Sequence, residues 1–140
     1  MYLLDTNVVS ELRPKRSRAP NPSVISWAQN VTPSSLYLSA ICILELEMGV
    51  LRKDRSDPTQ AAVLRSWLED FVLPSFAGRI LPVDITVAIK CAALQVPNPR
   101  SYRDSLIAAT ALVHGMTVVT RNVSDFVSTG VLLFNPFATP

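Results

Sequence analysis

The chain has 140 residues, of which 49% are hydrophobic and 17% are charged, and its formal net charge is +2. This composition excludes a disordered chain, and the length predicts one domain over residues 1–140 with enough chain to bury a core. The small net charge does not argue for a nucleic-acid partner, so the positions of the charges matter more than their sum.

The sequence shows no segment of the kind that enters or crosses a membrane. Its longest uncharged apolar stretch, residues 106–119, is interrupted by His114 and Gly115 and is shorter than the roughly 18 residues that a span needs. No basic segment followed by an apolar run and a cleavage site opens the chain, so we expect a cytoplasmic protein. Cys42 and Cys91 lack metal-ligand spacing, which predicts buried thiols rather than a disulfide.

Short apolar runs that predict strands alternate with longer stretches that predict helices. The predicted strands are residues 1–4, 34–40, 80–83, 116–120 and 131–134. The predicted helices are residues 6–13, 23–30, 41–53, 60–73, 85–95 and 104–114. Pro14 and Pro74 end the first and fourth helices, and Gly115 caps the last one. Because continuously apolar strands are covered on both faces, we expect a three-layer α/β/α fold with a mostly parallel sheet of four to five strands.

Four of the eleven carboxylates lie where open parallel sheets place ligands. Asp5 follows the first strand, and Glu45 lies in the helix after the second. Asp104 opens the most buried helix, and Asp125 follows the fourth strand after a short loop. The carboxyl ends of parallel strands share one edge of the sheet, so these side chains can meet there. Gathered carboxylates repel one another unless a cation compensates, and Mg²⁺ and Mn²⁺ prefer such oxygen ligands.

Each acid taken alone has a simpler interpretation. Asp5 and Asp104 can cap or charge-stabilise the helices at which they lie, and Asp125 can be a turn residue. Helical periodicity does not choose between Glu45 and Glu47, because both flank the same apolar stripe. Only the joint pattern favours a site, and the spacing by itself leaves both interpretations open.

Four stretches of the chain together resemble a PIN domain and, within that family, a VapC-type toxin ribonuclease. They are LLDTNVVSEL, ELEMGV, RDSLIAATAL and TVVTRNVSDF, and they occur in the family's order and at family-like separations over nearly the whole chain. Any one of them is a weak signal, whereas the four together are specific. The stretches PKRSR and PNPRSY match nothing in the family pattern.

The resemblance transfers residue by residue. The family's three aspartates match Asp5, Asp104 and Asp125. Its glutamate matches Glu45 rather than Glu47, because the leucine and glycine that follow it fall in register. The polar positions that support the family's site match Asn7, Thr120 and Asn122.

The resemblance implies a metal-dependent endoribonuclease with Mg²⁺ or Mn²⁺ as cofactor. Asp5, Asp104 and Asp125 would hold the ion, which lowers the pKa of a bound water and offsets charge on the scissile phosphate. Glu45 would bind through water, hold a second ion or help to deprotonate the nucleophile. The resemblance also implies a cognate antitoxin that keeps the enzyme inactive, and a homodimer.

Basic residues near the proposed ligands are the candidates for contact with RNA phosphates. Arg103 precedes Asp104, and Arg121 is close in sequence to Asp125. A second basic cluster over residues 13–18 is equally consistent with a solvated loop and with a binding role.

Two other functions are compatible with acids at a sheet edge. A Mg²⁺-binding signalling domain usually has two adjacent acids after its first strand and a late lysine, and neither is present near Asp5 or after Ser101. A catalytically silent PIN-like scaffold would bind only a partner, and the intact set of four acids speaks against it. RNA cleavage with and without a chelator distinguishes these possibilities.

Overall fold

The computed structural model describes residues 1–15 and 18–138. Its strands are β1 Tyr2–Leu4, β2 Leu36–Ser39, β3 Ile80–Leu81, β4 Thr117–Val119 and β5 Leu133–Phe134. Every neighbouring pair is parallel, and the order across the sheet is β3-β2-β1-β4-β5. The predicted parallel sheet is therefore confirmed. Strand β3 stops before the predicted residue 83 because its partner β2 ends at Ser39, which pairs with Leu81, and α3 begins at the next residue.

The described residues form seven α-helices. They are α1 Thr6–Leu12, α2 Pro22–Asn30, α3 Ala40–Asp54, α4 Pro58–Trp67, α5 Leu73–Ser75, α6 Ile85–Gln95 and α7 Tyr102–His114. All the predicted helices are present, and Gly115 ends α7 in the left-handed conformation with φ +66°. None of these described helices is long and apolar enough to span a bilayer.

The predicted end of the fourth helix before Pro74 is wrong. A π-helical turn over Leu68–Val72 joins α4 to α5, and the N–H of Leu73 donates to the carbonyl of Leu68, five residues back. This change of register makes Leu73 the start of a new α-helical turn. Pro74 then lies in a first turn, where a backbone N–H is not needed for the helix.

Two cores lie on the two faces of the sheet. Leu4 and Val119 pack against residues of α1 to α4, whereas Leu3 and Val118, their neighbours along the same strands, pack against α7. A smaller cluster joins α6 to α7 and contains the buried thiol of Cys91. This is the expected three-layer α/β/α arrangement, and both cysteines are buried and free as predicted.

The sheet register determines which residues meet at its carboxyl edge. Leu4 of β1 pairs with Val119 of β4, and the N–H of Asp5 donates to the carbonyl of Val119 at 2.9 Å. The residues that follow these two strands, Asp5 and Thr120, are therefore neighbours. Helix α3 starts directly after β2, with the Ser39 hydroxyl as its N-cap, and enters the same edge.

Candidate active site

Asp5 lies at the centre of a hydrogen-bond network. Its Oδ1 accepts from the N–H of Thr6 at 2.8 Å, which makes it the N-cap of α1. Its Oδ2 accepts from the Thr120 hydroxyl at 2.8 Å and from the Asn7 amide at 3.2 Å. The residue is only 7% exposed. Asp5 therefore caps a helix, as the simpler interpretation has it, and is also held rigidly by two side chains from different elements.

Hydrogen bonds through Asn7 and Thr120 also hold the loop after β4 against the start of α1. The Thr120 oxygen accepts from the backbone N–H of Asn122 at 3.0 Å, and Oδ1 of Asn7 accepts from the backbone N–H of Arg121 at 3.2 Å. Asn122 acts here through its backbone, and within the described chain its side chain makes no hydrogen bond. Asn7 and Thr120 thus support Asp5 directly, whereas Asn122 supports Thr120.

Glu45 reaches this edge from α3, and the structure distinguishes it from Glu47. Its Oε1 accepts from the Thr6 hydroxyl at 2.8 Å, and its Oε2 lies 3.5 Å from Nη1 of Arg103. Glu47 points elsewhere and forms a two-pronged ion pair with Arg65, one contact of which measures 2.8 Å. Periodicity left the choice between these glutamates open, and the packing of α3 places Glu45 at the site.

Asp104 and Asp125 are the other two acids of the cluster. Asp104 lies in the first turn of α7, two residues after its start, and is half-buried. Asp125 ends a short 3₁₀ turn, Val123–Asp125, and is exposed. In the described part of the chain, neither side chain accepts a hydrogen bond. Both carboxylates are therefore available to a ligand.

The electrostatics of the cluster show that the acids act on one another. Burial raises the pKa of Asp5, its hydrogen bonds to Thr120 and Thr6 oppose the rise, and Glu45 and Asp125 add to it. Burial also raises the pKa of Asp104, and the other three acids of the cluster raise it further while Arg103 opposes them. The four carboxylates thus repel one another, Arg103 opposes this repulsion in part, and a divalent cation would relieve it further.

The donor set fits Mg²⁺ or Mn²⁺. Over residues 1–15 and 18–138, no three His, Cys, Asp or Glu side chains form a ready-made metal cage. Mg²⁺ does not require one, because it usually binds through one or two carboxylates and keeps several waters. The Cys42 thiol nearby is buried, which raises its pKa to about 12 and keeps it a neutral thiol rather than a thiolate ligand.

The basic residues predicted to contact RNA have different partners in the structure. Arg103 faces Glu45, whereas the guanidinium of Arg121 lies over the ring of Phe137 at 4.9 Å. Arg18 of the basic loop is paired with Glu11 through contacts of 3.0 and 2.8 Å. Arg16 of that loop lies outside the described residues.

Thr6 is a site residue that the sequence interpretation missed. Its N–H donates to Asp5 and its hydroxyl donates to Glu45, so a single residue connects two acids from different elements. The signal available in the sequence was a hydroxyl residue directly after the first aspartate, at the first position of the helix.

Comparisons with known proteins show what this chain is similar to. A family model described as the PIN domain matches residues 2–130. Toxin FitB of Neisseria gonorrhoeae is 41% identical over 143 residues, covering 98% of this chain and 99% of that protein. The crystal structure of FitAcB from the same organism matches with a TM-score of 0.86 at 41% identity, over 99% of this chain and 100% of that chain.

Other relatives extend these comparisons. VapC ribonuclease Y4jK of Sinorhizobium fredii is 36% identical over 142 residues, which cover 98% of each chain. A toxin–antitoxin complex from Klebsiella pneumoniae matches with a TM-score of 0.66 at 22% identity, over 99% of this chain and 100% of that chain. A likeness at that identity shows the fold alone.

Proposed function

Because this chain belongs to the PIN domain family, we propose that it is a metal-dependent endoribonuclease and the toxin of a type II toxin–antitoxin system. Its relatives include a protein named as a toxin and a protein named as a VapC ribonuclease. The observation that carries the proposal is the cluster of four carboxylates at the carboxyl edge of the sheet, which has Arg103 beside it. A scaffold that only bound a partner would have no use for four carboxylates whose mutual repulsion destabilises the fold.

In the proposed mechanism, Asp5, Asp104 and Asp125 would together hold the metal ion, in part through coordinated waters, because the three carboxylates do not form a ready-made cage within the described residues. The chemistry that a bound Mg²⁺ or Mn²⁺ supplies is a coordinated water of lowered pKa and compensation of charge on the scissile phosphate. Asn7 and Thr120 fix the orientation of the Asp5 carboxylate through their hydrogen bonds.

Glu45 has a separate role in this proposal. The Thr6 hydroxyl holds its Oε1, and Oε2 is left beside Arg103 at 3.5 Å. A carboxylate held at one oxygen is positioned to accept the proton of the attacking water at the other. We propose that Arg103, which lies beside Glu45, also contacts the substrate phosphate.

The experiment that tests the proposal is RNA cleavage by the full chain. We expect cleavage of single-stranded RNA in Mg²⁺ or Mn²⁺, loss of cleavage in a chelator, and recovery when the metal is returned in excess. Cleavage that persists unchanged in the chelator would rule out the metal mechanism. Absence of cleavage under all these conditions, in a folded chain, would favour the silent scaffold.

We also propose that a cognate antitoxin inhibits the protein, that the chain forms a homodimer, and that it acts in the cytoplasm. A relative that is 41% identical is named as a toxin, which supports the proposal of an antitoxin partner. Large apolar side chains are exposed on α3 and α6, where Leu51 is 54%, Ile85 79% and Ile89 68% exposed. Such surfaces are typical of protein contacts. A chain that stays monomeric in light scattering and does not bind a co-encoded small protein would contradict the assembly.

A further inference from the structure

A groove beside the acid cluster lies between α1, α3 and α4. It has a volume of about 250 Å³. Its polar and charged lining residues are Thr6, Ser10, Arg13, Lys15 and Glu45, and Trp67 together with apolar residues of α3 and α4 forms the rest of its wall. We name it the Trp67 groove. Because Thr6 and Glu45 also belong to the acid cluster, the groove adjoins the proposed point of cleavage. A wider groove shares Arg13 and Lys15 with it and extends to Lys53.

Arg13 and Lys15 place positive charge at the wall of the Trp67 groove. The guanidinium of Arg13 lies 5.9 Å from the centre of the Trp67 ring, a cation–π distance that holds it at the wall. Neither Arg13 nor Lys15 forms an ion pair within the described ranges, whereas Arg18 of the same loop is neutralised by Glu11. Burial, together with Arg18 and Arg13, lowers the pKa of Lys15, and Glu11 opposes this shift. Crowded cations of this kind are stabilised by an anion.

The arrangement matches a polyanion that continues away from the acid cluster. Cations follow one another from Arg13 and Lys15 to Lys53, along two grooves that share lining residues. The carboxylates on this path have other roles: Glu45 belongs to the acid cluster, and Asp57 caps α4 by accepting from Gln60 at 3.0 Å. A strand of RNA repeats its negative charge along its length, and a basic groove is how proteins follow such a backbone.

We propose that the Trp67 groove binds the RNA strand next to the cleaved bond, with Arg13 and Lys15 contacting phosphate and Trp67 holding Arg13 in position. This inference rests on the proposed function and adds to it the path of the substrate. It also divides the basic loop: Arg13 and Lys15 contact RNA, whereas Arg18 is structural.

The test measures binding of a short single-stranded RNA to the full chain in a chelator, over a series of salt concentrations. Arg13→Ala and Lys15→Ala remove groove charges, and Lys90→Ala removes an exposed charge from α6, on the other face of the sheet. Removal of one cation that neutralises a phosphate should lower the slope of log affinity against log salt by about 0.7. We expect that drop in both groove variants and the parent slope in Lys90→Ala, with parent melting temperatures in all three.

Cleavage supplies a second readout with Mn²⁺ present. The parent should cleave a longer RNA better than a dinucleotide. Arg13→Ala should lose most of this preference, whereas Lys90→Ala should keep both the preference and the parent's rate on the dinucleotide. A parent that cleaves RNA alongside groove variants with unchanged salt slopes would overturn the inference and leave the groove to a protein partner. A parent that cleaves no RNA, but whose groove variants show the lower slope, would support the groove and overturn the nuclease.

Discussion

The starts of α1 and α6 have the same local design and different surroundings. Asp5 and Asp84 each follow a strand of the parallel sheet, and each caps the next helix by accepting from a backbone N–H, at 2.8 and 2.9 Å. The side chain of Asp84 is exposed and makes no further hydrogen bond within the described chain, whereas the side chain of Asp5 is buried and accepts from Thr120 and Asn7 as well.

The difference follows from position in the sheet. β1 is the central strand, so the ends of β2 and β4 deliver Glu45 and Thr120 to Asp5. β3 is an edge strand with one neighbour, and Asp84 after it stands apart from the cluster. A capping aspartate is therefore no argument against a site. What marks the site is the number of donors and acids that the neighbouring strands bring to it.

The largest expected effect separates the two caps directly. Asp5→Asn keeps the size and the capping ability, because Asn caps helices about as well as Asp, but removes a charge from the acid cluster. We expect RNA cleavage in Mn²⁺ to be nearly abolished in this variant and unchanged in Asp84→Asn. Equal cleavage by the two variants, both folded by circular dichroism, would return Asp5 to a purely structural role.

Substitution of Thr6, the first residue of α1, should reduce RNA cleavage less than substitution of Asp5. Thr6→Val removes the hydroxyl that holds Glu45 and keeps the N–H that donates to Asp5. Loss of a residue that orients a ligand or base typically costs about 10–100-fold in activity or metal affinity, and we expect a fall in cleavage within that range. Thr6→Ser retains the hydroxyl and should cleave close to the parent rate. If Val and Ser cleave alike, the contact with Glu45 is incidental.

Removal of a basic residue should have a smaller effect than the substitutions of Asp5 and Thr6, and this effect should be on RNA binding. Arg103→Ala and Arg121→Ala, measured in a chelator over a salt series, should each weaken binding and lower the salt slope by about 0.7, as expected for one phosphate contact on a single strand. Lys90→Ala, on the helix that Asp84 caps, is the matched control. Parent slopes in both arginine variants would mean that these side chains serve Glu45 and Phe137 rather than RNA.

The smallest expected effect concerns pH and the metal-free protein. The pKa of Asp5 is raised by burial above its ordinary value of 3.8, so the folded chain binds this proton more tightly than the unfolded chain. The resulting stabilisation is present below about pH 3.8 and is lost as pH rises through the higher folded pKa. In a chelator, the melting temperature of the parent relative to Asp5→Asn should therefore rise as pH falls toward 4. A constant difference across this range would contradict the raised pKa.

Much of the fold could be predicted because its signals are local. Continuous apolar runs indicated buried parallel strands, and Gly115 marked the end of α7. The end of the fourth helix could not be read in the same way, since Pro74 normally stops a helix. Here a π turn over Leu68–Val72 resets the hydrogen-bond register just before it. That turn has no sequence signal as specific as a proline.

In the site too, features with a local sequence signal could be predicted, and features that depend on packing could not. The resemblance indicated all four acids, and the structure brings them together at one edge. Residues that act through pairing across elements were harder to find: Thr6 lies 39 residues from Glu45, and Arg18 folds back onto the buried Glu11. Such pairings depend on how helices pack rather than on spacing along one element. The assignment of the four acids as site residues stays a prediction, and the sequence interpretation missed part of what holds them in place.

The central claim is that the buried carboxylate of Asp5 shares a divalent cation with its neighbours, and thermal melting with added metal tests it most directly. A ligand that binds only the folded state stabilises it by about 2.7 kcal/mol at about 100 times its dissociation constant. Mn²⁺ should therefore raise the melting temperature of the parent and of Asp84→Asn equally, by several degrees, and should raise that of Asp5→Asn much less. An equal rise in all three proteins would contradict the claim.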